Sequence, residues 1–267
     1  AGDLKLTGTV DYSTSGAGVD VKLILEEVNL GSILADQNYF SKITSQFNIK
    51  GQIPLKGDFL EYLSADVEGN IDPSSIFGIN ITDGSIDVSY ENQILDIKSL
   101  TLNSDKNNLF VSGKSPEKLG ADFKYEIEVE NLGVISEMSP NLALSGSLKA
   151  SGDVTGALQK PKITIDGEVL DFSMHKKYSA KSIKIDGEGT ISTENPVLKA
   201  KVDINSAAMN KKEIQEITLD ITSEGTAINV DLNIIEDDQF SYEMKATLLD
   251  LSTTQKDIEI SELILKL

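Results

Sequence analysis

Apolar and polar residues alternate along nearly the whole chain. Leu4, Leu6, Gly8, Val10 and Tyr12 are separated by Lys5, Thr7, Thr9 and Asp11. Val19, Val21, Leu23 and Leu25 are spaced the same way, and so are Phe123, Tyr125, Ile127 and Val129. The period returns at Leu198, Ala200, Val202 and Ile204 and again at Ile228, Val230, Leu232 and Ile234. A strand sends successive side chains to opposite faces, so a two-residue period predicts strands with one apolar and one wet face. Such strands belong to antiparallel meanders. Turn-forming clusters fall between them: "STSGAG" (13–18), "SDKNN" (104–108), "STENP" (192–196) and "EDDQ" (236–239). The spacing predicts about 16 to 18 strands.

Three short stretches break the period. "NLGSIL" (29–34) and "NLGVIS" (131–136) each open on Asn, a good N-cap, and predict a short helical turn. "DPSSIF" (72–77) offers Asp as N-cap and Pro at the first helical position, predicting a third.

The chain also matches itself. "NLGSIL" and "NLGVIS" lie 102 residues apart, and "IKGQIPLKGD" (49–58) matches "LSGSLKASGD" (144–153) at an offset of 95. "VEGNI" (67–71) matches "IDGEV" (165–169), and "SIDV" (85–88) matches "SIKI" (182–185). The order is preserved, which predicts one continuous elongated domain of stacked units. Residues 1–44 read as the end of a preceding unit, 45–140 as a first unit, and 141–267 as a second unit with the start of the next.

Composition removes several function classes. The chain has 267 residues, no Cys, no Trp and a net charge of −19. All 24 basic residues are lysine. An acidic chain without a guanidinium fork repels a phosphate backbone, so nucleic acid is not an expected partner. No apolar run approaches the roughly 18 residues of a membrane span, and no signal-peptide core is present. The first residue is Ala, which fits a mature chain or an excised piece.

Candidate chemistry is sparse. His175 is the single histidine, in "FSMHKKYS", and neither a second histidine nor a cysteine exists to complete a zinc site. It reads as a solvated loop or strand residue. A serine triad would need it as base, and no nucleophile elbow is present. Asp237 and Asp238 lack a calcium-loop pattern and read as a turn. "DGEG" (186–189) lacks the lysine and strand–loop–helix setting of a phosphate cradle and reads as a strand bend. The sequon "NIT" (80–82) carries no weight without a eukaryotic context. Lys176, Lys177, Lys211 and Lys212 read as a solvated edge. The expectation is that the protein is not an enzyme and carries no cofactor or metal.

What remains is the apolar face. By phase it takes Val67, Val88, Ile127, Leu148, Ile165, Ile185, Val202, Leu219, Val230 and Met244. Gly and Ala recur on the same register at Gly51, Gly146, Ala150, Gly167 and Ala200, and aromatics are only 6% of the chain. Both features leave room where a packed core needs bulk. The competing reading is an ordinary sandwich or solenoid core filled by its own side chains.

The run "SGSLKASGDVTGALQKPKITIDGEV" (145–169), with the "NLG" turn before it, resembles the repeats of the AsmA/TamB superfamily. The resemblance covers most of the chain. It implies an elongated, strongly curved, U-shaped antiparallel sheet, the β-taco, with an apolar groove and short helical turns at its margins. It implies a segment of a periplasm-spanning protein of a diderm bacterium, anchored in the inner membrane through parts outside this chain. The ten residues named above would line a groove carrying phospholipid acyl chains between the two membranes. At about 4.8 Å per strand, the sheet would supply a track of roughly 80 Å, a large part of a periplasmic crossing. An outer-membrane β-barrel is the implied protein partner. The alternatives are a scaffold that templates the strands of outer-membrane proteins, or a purely structural solenoid or adhesin.

Overall fold

A computed structural model describes residues 2–14, 16–29, 31–32, 41–76, 79–116, 120–138, 142–157, 159–190, 197–210, 212–224, 227–237, 240–249 and 257–266. The turn "STENP", Lys211 and Asp238 lie outside the described residues. Contacts divide the chain into two units, Ala1–Ile127 with Thr155–Gln159, and Glu128–Val154 with Lys160–Leu267.

The first unit carries β1 (Asp3–Tyr12), β2 (Gly16–Val28), β3 (Ser41–Pro54), β4 (Ser64–Ile71), β5 (Ser74–Ile76), β6 (Ile79–Ile81), β7 (Asp83–Glu91), β8 (Ile94–Ser104), β9 (Asn107–Lys114) and β10 (Gly120–Val129). Its main sheet is an antiparallel run through β1, β2, β3, β4, β7, β8 and β9. The hairpin of β5 and β6 leaves this run and pairs with the start of β3. The second unit carries β11 (Leu144–Ala157), β12 (Lys160–Met174), β13 (Tyr178–Thr190), β14 (Val197–Met209), β15 (Lys212–Glu224), β16 (Ala227–Ile235), β17 (Ser241–Leu249) and β18 (Asp257–Lys266). From β12 to β18 each strand pairs antiparallel with the next. Strands make up 81% of the described residues, and among these the fold is all-β, antiparallel and not closed into a barrel.

The local signals act as the sequence reading expects at the two Asn caps. Asn29 Oδ1 accepts from the backbone N–H of Gly31 at 2.9 Å, and Asn131 Oδ1 accepts from that of Gly133 at 2.9 Å. A helical turn follows each, at Gly31–Ser32 and Gly133–Met138. Leu30, Ile33 and Leu34 lie outside the described residues.

Residues 72–76 of "DPSSIF" are not helical. Ser74 Oγ donates toward the carbonyls of Asp72 and Thr44 and accepts from Thr44 N–H at 2.9 Å. These bonds clamp the segment to β3, where Ile76 stands opposite Ser41, and β5 results. The turn expected there occurs instead at Phe59–Tyr62, capped by Asp58 Oδ1, which accepts from Leu60 N–H at 3.0 Å. Gly57 and Asp58 therefore sit in a turn, whereas their sequence matches Gly152 and Asp153 lie within β11. "DGEG" lies within β13. Gly187 and Gly189 continue β13 with unbroken register against both neighbours.

Candidate functional site

In the second unit the registers line up whole rows of apolar side chains. Val169 stands opposite Ile183, then Ile204, Ile217, Ile234 and Tyr242 follow across successive strands. Two residues along the strands, Gly167, Ile185, Val202, Leu219, Leu232 and Met244 form a second row. A third runs Ile165, Gly187, Ala200, Ile221, Val230 and Ala246. Directly opposed residues share a face, and each aliphatic pair contributes about 0.2–1 kcal/mol. Ala150 joins the same face: a Cβ on Gly167 would lie 3.4 Å from its Cβ. Leu148, two residues back along β11, shares its phase.

The first unit repeats the arrangement. Gly8, Val21, Ile49, Val67, Val88, Ile97 and Gly113 form one row. Leu6, Leu23, Phe47, Gly69, Ile86, Leu100 and Val111 form the next. Phe123 of β10 stands against Gly113, and Tyr125 and Ile127 continue its phase. Lys124 and Glu126 take the exposed phase between them.

The ten residues expected on the apolar face are all only half-buried. A filled core would bury them. Of the described apolar residues that are buried, half are alanines (Ala17, Ala121, Ala150, Ala180, Ala207 and Ala246); Val21, Phe123 and Val169 are buried on the apolar phase, and Val28, Ile81 and Leu132 complete the set. The register adds row members that phase alone left unnamed, chiefly Ile217 and Ile221. Cross-strand pairing identifies them, and a single chain read linearly gives no pairing.

The other face is charged. Asp166, Asp186, Lys201, Asp220, Asp231 and Lys245 follow one another across the second unit's strands. Lys162 pairs with Glu188 at 2.6 Å, and Lys201 with Asp203 at 3.1 Å. The hydrogen bond from Lys162, and then its charge, hold Glu188 below the ordinary carboxylate value. The hydrogen bond to Asp203, reinforced by that carboxylate's charge, holds Lys201 above the ordinary lysine value. These exposed pairs keep the outer wall wet and ordered; each contributes little to stability.

One feature of the second unit has no counterpart in the expected pattern. Along β12 the apolar phase runs to Val169, then Leu170 and Asp171 are both exposed, and Phe172 resumes it one residue out of step. Its neighbours shift on the same line. Asp171, Lys181, Ser206 and Gln215 are all exposed, and beyond them Phe172, Ala180, Ala207 and Ile214 stand in one row. Asp171 and Ser206 each adopt φ 50, in the left-handed region. The strands are creased here by two non-glycine residues, and the apolar side continues past the crease.

The residues singled out for chemistry lie apart from these faces or in turns. His175 is exposed in the turn after β12, and its backbone N–H donates to Ala143 O at 2.9 Å. Asp237 Oδ1 accepts from Phe240 N–H at 3.0 Å, as a turn residue does. Lys212 pairs with Glu236 at 2.8 Å, and Lys176 and Lys177 are exposed. Among the described residues no group of three or more His, Cys, Asp or Glu could hold a metal ion. Among them, too, no helix is long and apolar enough to cross a membrane.

No curated protein and no solved structure matches the chain. The family model of the TamB N-terminal domain matches residues 1–251, and the chain belongs to the TamB family.

Proposed function

We propose that the chain is a segment of a periplasmic envelope protein whose apolar sheet faces carry phospholipid acyl chains between inner and outer membranes. In this reading the full-length protein is held at the inner membrane by parts outside these residues. One observation carries the proposal: rows of aliphatic side chains such as Ile185, Val202, Leu219 and Leu232 lie side by side yet remain half-exposed. Water is a poor neighbour for such rows, and covering them is favourable by about 25 cal/mol per Å² of apolar area. An acyl chain needs only a continuous apolar surface and no specific polar contact. The opposite face, with its opposed lysines and carboxylates, faces water.

The test places a photo-crosslinking residue at Val202 on the apolar face and at Lys199 on the polar face. The protein is irradiated in cells and analysed by mass spectrometry. Phospholipid adducts at position 202 and none at 199 are expected. A chain cleanly folded but free of adducts at 202 overturns the reading.

A second reading is templating of outer-membrane protein strands. It is favoured by β1, whose ten residues are all exposed, including Leu4, Leu6 and Val10. An uncovered edge strand is a ready template for pairing. Adducts from β1 to a nascent barrel strand, with none to lipid at 202, would favour it.

A further inference from the structure

Large apolar side chains crowd one end of the first unit's meander without cover. Leu55, Phe59, Leu60 and Tyr62 are 51–60% exposed, and Tyr12 and Ile53 are exposed beside them. Tyr12 stands opposite Ala17 and Ala17 opposite Ile53, so the first and last belong to one row at the strand ends. The chain leaves β3 after Pro54, passes Leu55 and enters the capped turn Phe59–Tyr62. The ring of Tyr62 folds over Gly57, whose φ of 88 suits a residue without a Cβ; a Cβ there would lie 2.9 Å from Tyr62 Cε2. Tyr90 ties the turn down. It shares the apolar face with Ala65, directly opposite, and its hydroxyl donates to Leu60 O at 2.9 Å. The turn is thus a lip at the margin of the apolar face, with Phe59 and Leu60 turned to solvent.

We infer that this lip docks the protein on a bilayer of zwitterionic phospholipid, so that the apolar face opens at a lipid surface. The inference rests on the acyl-chain reading above for what lies behind the lip. Three features select this occupant. Phe59, Leu60 and Leu55 form an apolar centre, and Tyr12 and Tyr62 bring hydroxyls to it, matching the apolar-to-wet gradient of a membrane interface. The patch is continuous with the apolar row that ends at Ile53, so a chain leaving a bilayer there meets no polar gap. The lip at 55–62 is net acidic, with Asp58 and Glu61 against Lys56, on a chain of net charge −19 without arginine. Carboxylates complement the ammonium of choline and ethanolamine head groups, and a net anionic surface repels them.

The absence of tryptophan makes the test direct. Phe59→Trp supplies a single fluorophore on the lip, and Lys199→Trp one on the polar face. Each is titrated with phosphatidylcholine–phosphatidylethanolamine vesicles and with vesicles half phosphatidylglycerol. Expected are a blue shift for Phe59→Trp, quenching by brominated acyl chains, no change for Lys199→Trp, and binding on the order of tenfold weaker to the anionic vesicles at low salt. In an independent arm, Leu55→Ser with Leu60→Ser abolishes vesicle co-flotation while the circular dichroism spectrum is kept. Lipid extracted from the same preparations separates the two readings. An unshifted Phe59→Trp in a protein that co-purifies with lipid overturns the lip and leaves the groove. A shifted Phe59→Trp in a protein free of bound lipid supports the lip and overturns the groove. Equal or tighter binding to the anionic vesicles overturns the head-group preference, and with it the inference.

Discussion

Val202 and Leu219 stand directly opposite each other on the apolar side of β14 and β15, and neither is buried. In a close-packed core, a carboxylate at either position would be stranded and cost several kcal/mol. On an open face it stays hydrated. Val202→Asp and Ile165→Asp are therefore expected to lower stability by less than about 1 kcal/mol, a shift in melting temperature of roughly 2–4 °C. A hydrated charge still interrupts the apolar row, so the folded variants should lose co-purified lipid, and transport by the full-length protein should fail. Unfolding of both variants, or unchanged lipid content in the folded ones, sinks the conduit reading.

Glycines on the apolar face are not equivalent. A Cβ on Gly51 would collide with the backbone of β4 at Ser64 and Ala65, whereas one on Gly167 would meet Ala150 Cβ at an ordinary 3.4 Å. Gly51→Ala is expected to destabilise by about 1–3 kcal/mol because backbone, not a flexible side chain, must move. Gly167→Ala should be neutral or stabilising by about 0.5–1 kcal/mol, since Gly loses more freedom on folding. Urea midpoints for the two variants check this contrast; equal effects would show that the tight approach at Gly51 is relieved by small adjustments.

The wet face is expected to respond to alkali. Lys98, Lys149, Lys201 and Lys212 are each held above the ordinary lysine value of 10.5, first by side-chain hydrogen bonds to Asp87, Glu128, Asp203 and Glu236 respectively. A folded-state value raised above the unfolded one gives stability that is present below the ordinary value. That stability is lost as pH rises through the raised one. Melting temperature should thus fall as pH passes 10.5. Because the pairs are exposed, added salt should weaken the dependence. Lys149→Met, which keeps the stem and removes the charge, should flatten part of the alkaline limb. A limb unchanged in this variant would show that its pair with Glu128 contributes nothing.

How far the sequence reached depends on which physics each feature needs. Strand identity and phase follow from a two-residue period, which is the ground on which the ten positions are assigned to the apolar face. The Asn caps at 29 and 131 could be read because an Asx side chain bonds within its own turn. "DPSSIF" misled because its local cap signal lost to a non-local one, the bonds between Ser74 and Thr44 thirty residues away. The lip at 55–62 was hidden inside a repeat match, where Gly57 and Asp58 paired on paper with Gly152 and Asp153. Glycine is the usual residue for a left-handed backbone, yet the crease holds Asp171 and Ser206 at φ 50. The signal was present as a slip of one residue in the alternation, between "ITIDGEV" and "DFSM", and is legible once neighbouring strands are seen to slip together.

That crease yields the last expectation. Ser206 holds φ 50 within a strand, a conformation that costs a residue with a Cβ about 1–2 kcal/mol and costs glycine almost nothing. Ser206 is itself skipped by both ladders, but the pairs on either side of it keep one register: Asn205 stands opposite Ser182 and Glu216, and Ala207 opposite Ala180 and Ile214. Pairing therefore holds the strained residue in place. Ser206→Gly should relieve the strain and raise stability by about 0.5–1 kcal/mol, net of glycine's greater freedom when unfolded. Ser206→Val should lower it by about 1–3 kcal/mol, because a β-branched residue tolerates this region worst. The same order should hold at Asp171, which has the same φ. If valine proves as stable as glycine at both positions, the crease carries no left-handed strain, and the slip in phase must be absorbed by extended backbone instead.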